Sequence, residues 1–352
     1  AQVSPRAAPK RARRNAMRLS VLSVVDHYPE LSRDVGQFYD ELIDQAVLAD
    51  RLGYQACFIA EHHFHPYGVV PNPAVILAAI AQRTERILLG PSVAILPFRD
   101  PRLVAEDYAM LDLLSHGRLV LGLGSGYLKH EFAGFGRDPT EKRERFDDGM
   151  ASVKRLIAGE RVSFEGRFHQ LDGVQLNVLP AQRAVPVYVA ALTKEAAYYI
   201  GRQGNGLLTI PYGTLNNLDE MAPLAASFER GRAESGAPRM PLDLAPHIAT
   251  FHTHVARSEA EAEAAVRGPF ELYCRTRLYA KPWSYEQIRA NGLALFGSVE
   301  SVAHKLIALG KMGVTSVNTM GNFGAMPPEA VHSSLRLMIE EVLPRVEAAL
   351  KE

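Results

Sequence analysis

Cysteine is nearly absent: Cys57 and Cys274 are the only two in 352 residues. Two sulfurs so far apart make neither a disulfide framework nor a thiolate metal motif, so a reducing cytoplasm is the expected setting. Net charge is missing as well, with 39 Lys and Arg set against 39 Asp and Glu. Without a basic excess there is no electrostatic reason to expect nucleic acid or an anionic membrane as partner. No apolar run approaches the roughly 20 residues that span a bilayer. A Gly-x-Gly-x-x-Gly turn opening a helix is also lacking, so no nicotinamide dinucleotide fingerprint is found. No internal repeat or low-complexity block stands out.

What is present is a large apolar fraction, 47%, with 22% charged residues, enough to bury a sizeable core. The first sixteen residues are the exception. Ala1–Ala16 carries Arg6, Lys10, Arg11, Arg13 and Arg14, two prolines and almost no large apolar side chain. Such a stretch cannot bury enough to order itself, so residues 1–16 are expected to be a disordered basic leader or linker. The apolar run Leu19–Val25 ends in Asp26-His27 with no small-residue cleavage site, which argues against a signal peptide. Residues 17–352 are expected to form a single domain.

Within that domain, short β-branched runs alternate with helical periodicities. Strands are expected at Arg18–Val25, Cys57–Ala60, Ile87–Leu96, Arg118–Leu123, Pro186–Ala191, Gly206–Ile210, Ala245–His254 and Val314–Thr319. Helical spacing separates them, and Pro101 suits the first turn of the helix that follows Asp100. Val162–Val178 reads as an inserted hairpin, Tyr127–Thr140 as an irregular insertion and Lys281–Leu295 as a loop over the site. Eight strands alternating with helices imply a parallel α/β architecture, a (β/α)8 barrel with insertions.

In such a barrel, ligands bind beyond the carboxyl ends of the strands. There the apolar run Cys57–Ala60 breaks into Glu61-His62-His63-Phe64-His65. A histidine at that place is a metal ligand, a structural partner or an acid–base group. The other strand ends supply Pro97-Phe98, Gly124-Ser125, Ala191-Leu192 and Ile210-Pro211, which is no ligand set, so no metal is expected. Glu61 either orients a histidine or pairs with an arginine. Gly122-Leu123-Gly124-Ser125-Gly126 supplies small residues that let a flat ligand approach the backbone. Arg143 is either a solvated helix charge or a phosphate fork. Thr193 begins a helix, where it caps the helix or contributes to an anion site.

These residues carry a resemblance. Glu61–Pro73 (E-H-H-F-H-P-Y-G-V-V-P-N-P), Gly90–Pro101 (G-P-S-V-A-I-L-P-F-R-D-P) and Leu111–Gly126 (L-D-L-L-S-H-G-R-L-V-L-G-L-G-S-G) resemble the bacterial luciferase-like flavin monooxygenases. Phe296–Ala303 and Val342–Arg345 fit as well. The resemblance runs from about Met17 to the C-terminus, weakly between Gly213 and Asn291. It implies a TIM barrel that binds reduced FMN, received from a separate flavin reductase, and activates oxygen at the flavin C4a for use on a small organic substrate, aldehyde or carbonyl compounds included. His62 matches the catalytic histidine, with Glu61 beside it. Arg143 and Thr193 match phosphate-binding residues, with Ser92, Val93, Gly124, Ser125, Gly126, Ala191 and Leu192 along the cofactor. Ser125, Gly124, Leu192 and Ala196 depart from the luciferase residues at their positions. Ser23, Phe98, Tyr127 and Trp283 are candidate pocket lining. The resemblance also implies a homodimer and a non-prolyl cis peptide at Ser92–Val93. A deazaflavin (F420) oxidoreductase, a flavin-binding protein without catalysis and a metal hydrolase on the same barrel are the other classes open to this pattern.

Overall fold

The computed structural model describes residues 16–351 except 32, 67, 237, 239 and 278–281. The leader expected over residues 1–16 thus lies, but for Ala16, outside the described residues.

Short, largely buried runs form the barrel strands, as parallel staves covered on both faces require, while the outlying pair Val162–Glu165 and Gln170–Val174 is more exposed. In chain order they are β1 (Arg18–Ser23), β2 (Ala56–Ile59), β3 (Leu88–Pro91), β4 (Ala94–Ile95), β5 (Leu121–Gly124), β6 (Val162–Glu165), β7 (Gln170–Val174), β8 (Val187–Ala191), β9 (Gly206–Thr209), β10 (His247–Ala256), β11 (Leu295–Ser298) and β12 (Ser316–Asn322). Nine of them run parallel in the order β3-β2-β1-β12-β10-β9-β8-β5-β4. The two ends of that path are one stave: the chain passes from β3, paired with β2, into β4, paired with β5. The barrel is therefore nearly closed, with eight staves where the alternation placed eight strands. The peptide that joins the two halves of the broken stave, Ser92–Val93, is cis.

The helices wrap the barrel as α1 (Val35–Leu52), α2 (Pro73–Arg83), α3 (Pro101–Leu114), α4 (Lys129–Gly134), α5 (Lys142–Ile157), α6 (Lys194–Arg202), α7 (Pro211–Thr214), α8 (Met221–Ser235), α9 (Glu259–Thr276), α10 (Tyr285–Ala290), α11 (Val299–Lys311), α12 (Pro328–Leu337) and α13 (Leu343–Ala349). Their starts are chemically marked. Asp34 and Gln37 make a capping box on α1, while Asn72 and Asp100 cap α2 and α3, each with proline in the first turn. One continuous hydrophobic core runs from Met17 to Val346. Cys57 sits in it as a small core residue, and burial pushes its thiol up to about 12. Among the described residues no helix is long and apolar enough to cross a membrane.

The expected hairpin is β6–β7, antiparallel and outside the barrel. Three readings change. Tyr127–Thr140 is not wholly irregular, because α4 forms inside it. Lys281 lies outside the described residues, but the rest of Lys281–Leu295 is not a simple loop. Ser284 and Gln287 form a capping box that starts α10, and Leu295 opens β11 along the far end of β10. The helical spacing of Pro328–Leu350, which in sequence reads as one final helix, is split into α12 and α13 by a wide turn at Met338–Val342. Pro344, which has no N–H to donate, is the second residue after that turn.

Candidate active site

The carboxyl ends of the staves surround a pocket of about 950 Å³, its open mouth included. Leu22 and Val24 from β1 and its exit, Leu208 from β9, Ile210 just after it, and Met320 from β12 make an apolar floor and wall. Polar atoms enter at few points: Glu61 and His62 after β2, Ser92 in the broken stave, Ser125 and Tyr127 after β5, Lys142 at the start of α5, Tyr212 in α7 and Thr250 in β10. Gly124 has no room for a side chain, since a Cβ there would lie 2.3 Å from Val93 Cγ2. The pocket edge at β5 is therefore bare backbone.

Two interleaved carboxylate–imidazole pairs lie beneath this wall. Glu61 does not hold His62; its Oε1 lies 3.0 Å from His63 Nε2. The partner of His62 is Glu131 on α4, whose Oε1 lies 3.2 Å from His62 Nδ1 and also accepts the His63 backbone N–H at 3.0 Å. All four side chains are buried. Burial raises the Glu61 carboxyl above its usual range, while His63, Arg99 and the Ile95 amide act against that. For His62, burial lowers the pKa and the hydrogen bond to Glu131 opposes it. A neutral imidazole facing an apolar pocket is a group able to take up a proton.

The pocket gathers Glu61, His62, Ser92, Val93, Gly124, Ser125, Gly126, Tyr127 and Leu192 from the residues singled out in the sequence. The others lie elsewhere. Ala191 is buried on the opposite face of β8, because alternation gives the pocket Ala190 and Leu192 instead. Thr193 caps α6 by accepting the Ala196 amide at 3.2 Å. Arg143 turns to solvent and pairs with Asp147 at 2.8 Å, whereas its neighbour Lys142 lines the rim. Ser23 accepts the Val25 amide and borders a small cleft on the outer side of β1. Phe98 packs on Phe132 and Phe135, behind His63. Trp283 stands one layer back, donating to the Tyr212 carbonyl at 2.7 Å. Sequence reading missed Glu131, hidden in the stretch taken as irregular, and Lys142, overshadowed by Arg143. It also passed over Tyr212, whose place after the Ile210-Pro211 strand end was the available signal.

A flat, amphipathic ring system with an anionic tail fits this lining: apolar walls, a bare glycine edge, and hydroxyls and an ammonium at the rim. Flavins and deazaflavins are both of that kind. A parallel barrel with such a pocket at its carboxyl end is an enzyme scaffold open to many chemistries, and comparison with known proteins narrows it. The profile of the Luciferase-like monooxygenase family matches residues 17–316, and the chain belongs to that family. It is 32% identical over 218 residues to limonene 1,2-monooxygenase of Rhodococcus erythropolis, covering 62% of this chain and 56% of that one. It is 34% identical over 175 residues to an F420-dependent glucose-6-phosphate dehydrogenase of Amycolatopsis mediterranei, covering 48% and 52%. The match thus spans about half the length of these two relatives. The crystal structure of monooxygenase RslO1 from Streptomyces bottropensis superposes with a TM-score of 0.86 at 29% identity, covering 93% of this chain and 99% of that one.

Proposed function

We propose that the protein is a two-component, FMN-dependent monooxygenase acting on a small organic substrate, aldehyde or carbonyl compounds being the class that suits it. Reduced FMN from a separate flavin reductase supplies the two electrons; one atom of O₂ enters the substrate and the other leaves as water. The observation that carries this reading is His62, a buried imidazole on the wall of an otherwise largely apolar pocket with a bare glycine edge. Leu22, Val24, Leu208, Ile210 and Met320 would keep water from the ring system. Gly124 and Gly126 would let it lie close to the backbone, with Ser92 and Val93 on the adjoining stave and Ala191 supporting the wall from behind. Lys142, Ser125 and Thr193, with Arg143 released from Asp147, would hold the phosphate. His62 would hold or deliver a proton, within a cytoplasmic homodimer.

A second reading is favoured by the F420-dependent relative. In it the same pocket holds F420, and His62 assists a hydride transfer in which O₂ takes no part. Anaerobic titration with reduced FMN and with F420, followed by admission of O₂, separates the two. Tight binding of reduced FMN and O₂-dependent oxidation of substrate are expected. Binding of F420 alone would overturn the FMN reading. His62→Ala should bind FMN nearly as the parent does and turn over roughly 10²-fold more slowly, the scale of a lost acid–base group. Normal turnover at saturating reduced FMN would remove His62 from that role.

A further inference from the structure

We propose that Glu131 is a positioning residue that fixes His62 as the Nδ1–H tautomer, leaving Nε2 as the nitrogen with a free lone pair toward the pocket. The inference rests on the reading of His62 as the acid–base group and specifies which ring atom does the work.

The argument is geometric. One oxygen of Glu131 meets two donors, His62 Nδ1 at 3.2 Å and the His63 backbone N–H at 3.0 Å. The amide ties the carboxylate to the main chain of the segment that bears His62, so ring and backbone are registered on a single oxygen. A carboxylate oxygen accepts, so the imidazole proton belongs on Nδ1. Free histidine side chains favour the other tautomer, with the proton on Nε2, so the protein has to impose this one. Glu131 does so from outside the reaction space: His62 lines the pocket, and Glu131 is buried behind it on α4.

Glu131 also stands alone in its electrostatic sense. Around His62 lie Glu61, His63 and His65 on its own segment, Glu131 on α4, Arg277 just after α9 and Lys142 at the pocket rim. Burial, Arg277 and His63 all disfavour a charged ring, and Glu131 is the group that favours it. Removing the Glu131 charge takes away the influence that opposes burial, Arg277 and His63, and leaves the ring less basic. Removing the hydrogen bond as well frees the ring to adopt its intrinsic tautomer.

The test is the ring ¹⁵N–¹H spectrum of histidine-labelled protein without cofactor, with His62 assigned by the signal lost in His62→Gln. The parent should show a protonated Nδ1 and an unprotonated Nε2 at neutral pH. Glu131→Gln, which can still accept, should keep that pattern and titrate lower by about one pH unit or more, the scale of a lost neighbouring opposite charge. Glu131→Leu should reverse the pattern. An Nε2–H tautomer in the parent, or an unreversed pattern in folded Glu131→Leu, overturns the inference. If Glu131→Leu does not fold, the parent and Glu131→Gln decide it. Normal turnover by His62→Ala would instead sink the acid–base reading while leaving the tautomer result standing, so the two failures are distinguishable.

Discussion

Gly68 stands directly against His62: a Cβ on Gly68 would lie 2.6 Å from His62 Cβ. The contact closes a short loop. The His62 amide donates to the Val70 carbonyl at 3.1 Å, and Gly68 bridges to Asp26 beside β1. The chain leaves β2, turns through the histidines and returns against its own catalytic candidate.

Gly68→Ala should therefore act on the chemistry more than on the fold. The added methyl meets His62 Cβ, so either the loop or the His62 side chain must shift, and a ring displacement on the order of 1 Å costs up to about 10²-fold in rate. Overpacking should lower stability by about 1–3 kcal/mol. Turnover is expected to fall at least about tenfold while flavin binding, followed by fluorescence quenching, changes little. Parent-like turnover would show that the loop yields and that His62 is not held by this contact.

Lys142 and Arg143 are neighbours with different placements, one lining the pocket and the other paired with Asp147 in solvent. Arg143 must give up Asp147 to reach a phosphate; Lys142 need not. A lost charge-assisted contact is worth about 1.5–3 kcal/mol. Lys142→Ala is expected to weaken FMN binding about tenfold or more and riboflavin binding little. Arg143→Ala should shift the FMN-to-riboflavin ratio in the same direction by less. Equal losses for both ligands would remove either residue from the phosphate site.

The barrel was legible because buried parallel staves are written as short apolar runs, and these survive any register. The strand end at Glu61-His62 was legible because charge cannot follow a buried run without a reason. Glu131 was not, since α4 has only six residues and no cap from its own side chains, so its sequence carries no periodicity. Nor was the direction of Arg143: adjacent residues on a helix point about 100° apart, and nothing in Lys142-Arg143 says which one turns inward. The exchange of partners, Glu61 with His63 and Glu131 with His62, is a tertiary fact with no local trace.

An apolar surface on α2 and α3 bears on assembly. Val75, Leu103, Met110 and Leu114 are exposed, and Leu103, Met110 and Leu114 recur at helical spacing on one side of α3. Exposed apolar residues of this kind are what an isologous interface would bury, and they support the expectation of a homodimer that pairs through α2 and α3. Sedimentation should find a dimer at micromolar concentration. Leu103→Glu with Met110→Glu should raise the dissociation constant at least about 30-fold, as loss of about 2 kcal/mol from central contacts requires. A parent that sediments as a monomer at that concentration would refute the assignment.

Acid should unfold the protein through β10. This strand buries His247, His252 and His254. Burial pushes His247 and His254 down to about 4, and burial with nearby Arg277 puts His252 well below its usual value. The folded pKa values thus lie below the unfolded value of about 6.5, so the rings are neutral in both states above that pH and cost nothing. Between about pH 6.5 and 4 the unfolded chain binds protons that the folded one refuses, and stability falls as pH falls, by about 2 kcal/mol at pH 5 for each of His247 and His254, with His252 acting in the same direction. Glu61, its carboxyl raised by burial, works in the opposite direction and softens the loss. His252 is the place to test this. Its ring packs against Tyr212, Phe270, Tyr273 and Phe323, and among the described residues neither nitrogen has a hydrogen-bond partner. His252→Phe should be no less stable than the parent at pH 7.5, because no bond is given up. Between pH 7.5 and 5, urea unfolding should show the variant losing less stability than the parent. Equal losses would mean that His252 is already protonated in the fold or reaches solvent there, and that β10 does not carry the acid sensitivity at this ring.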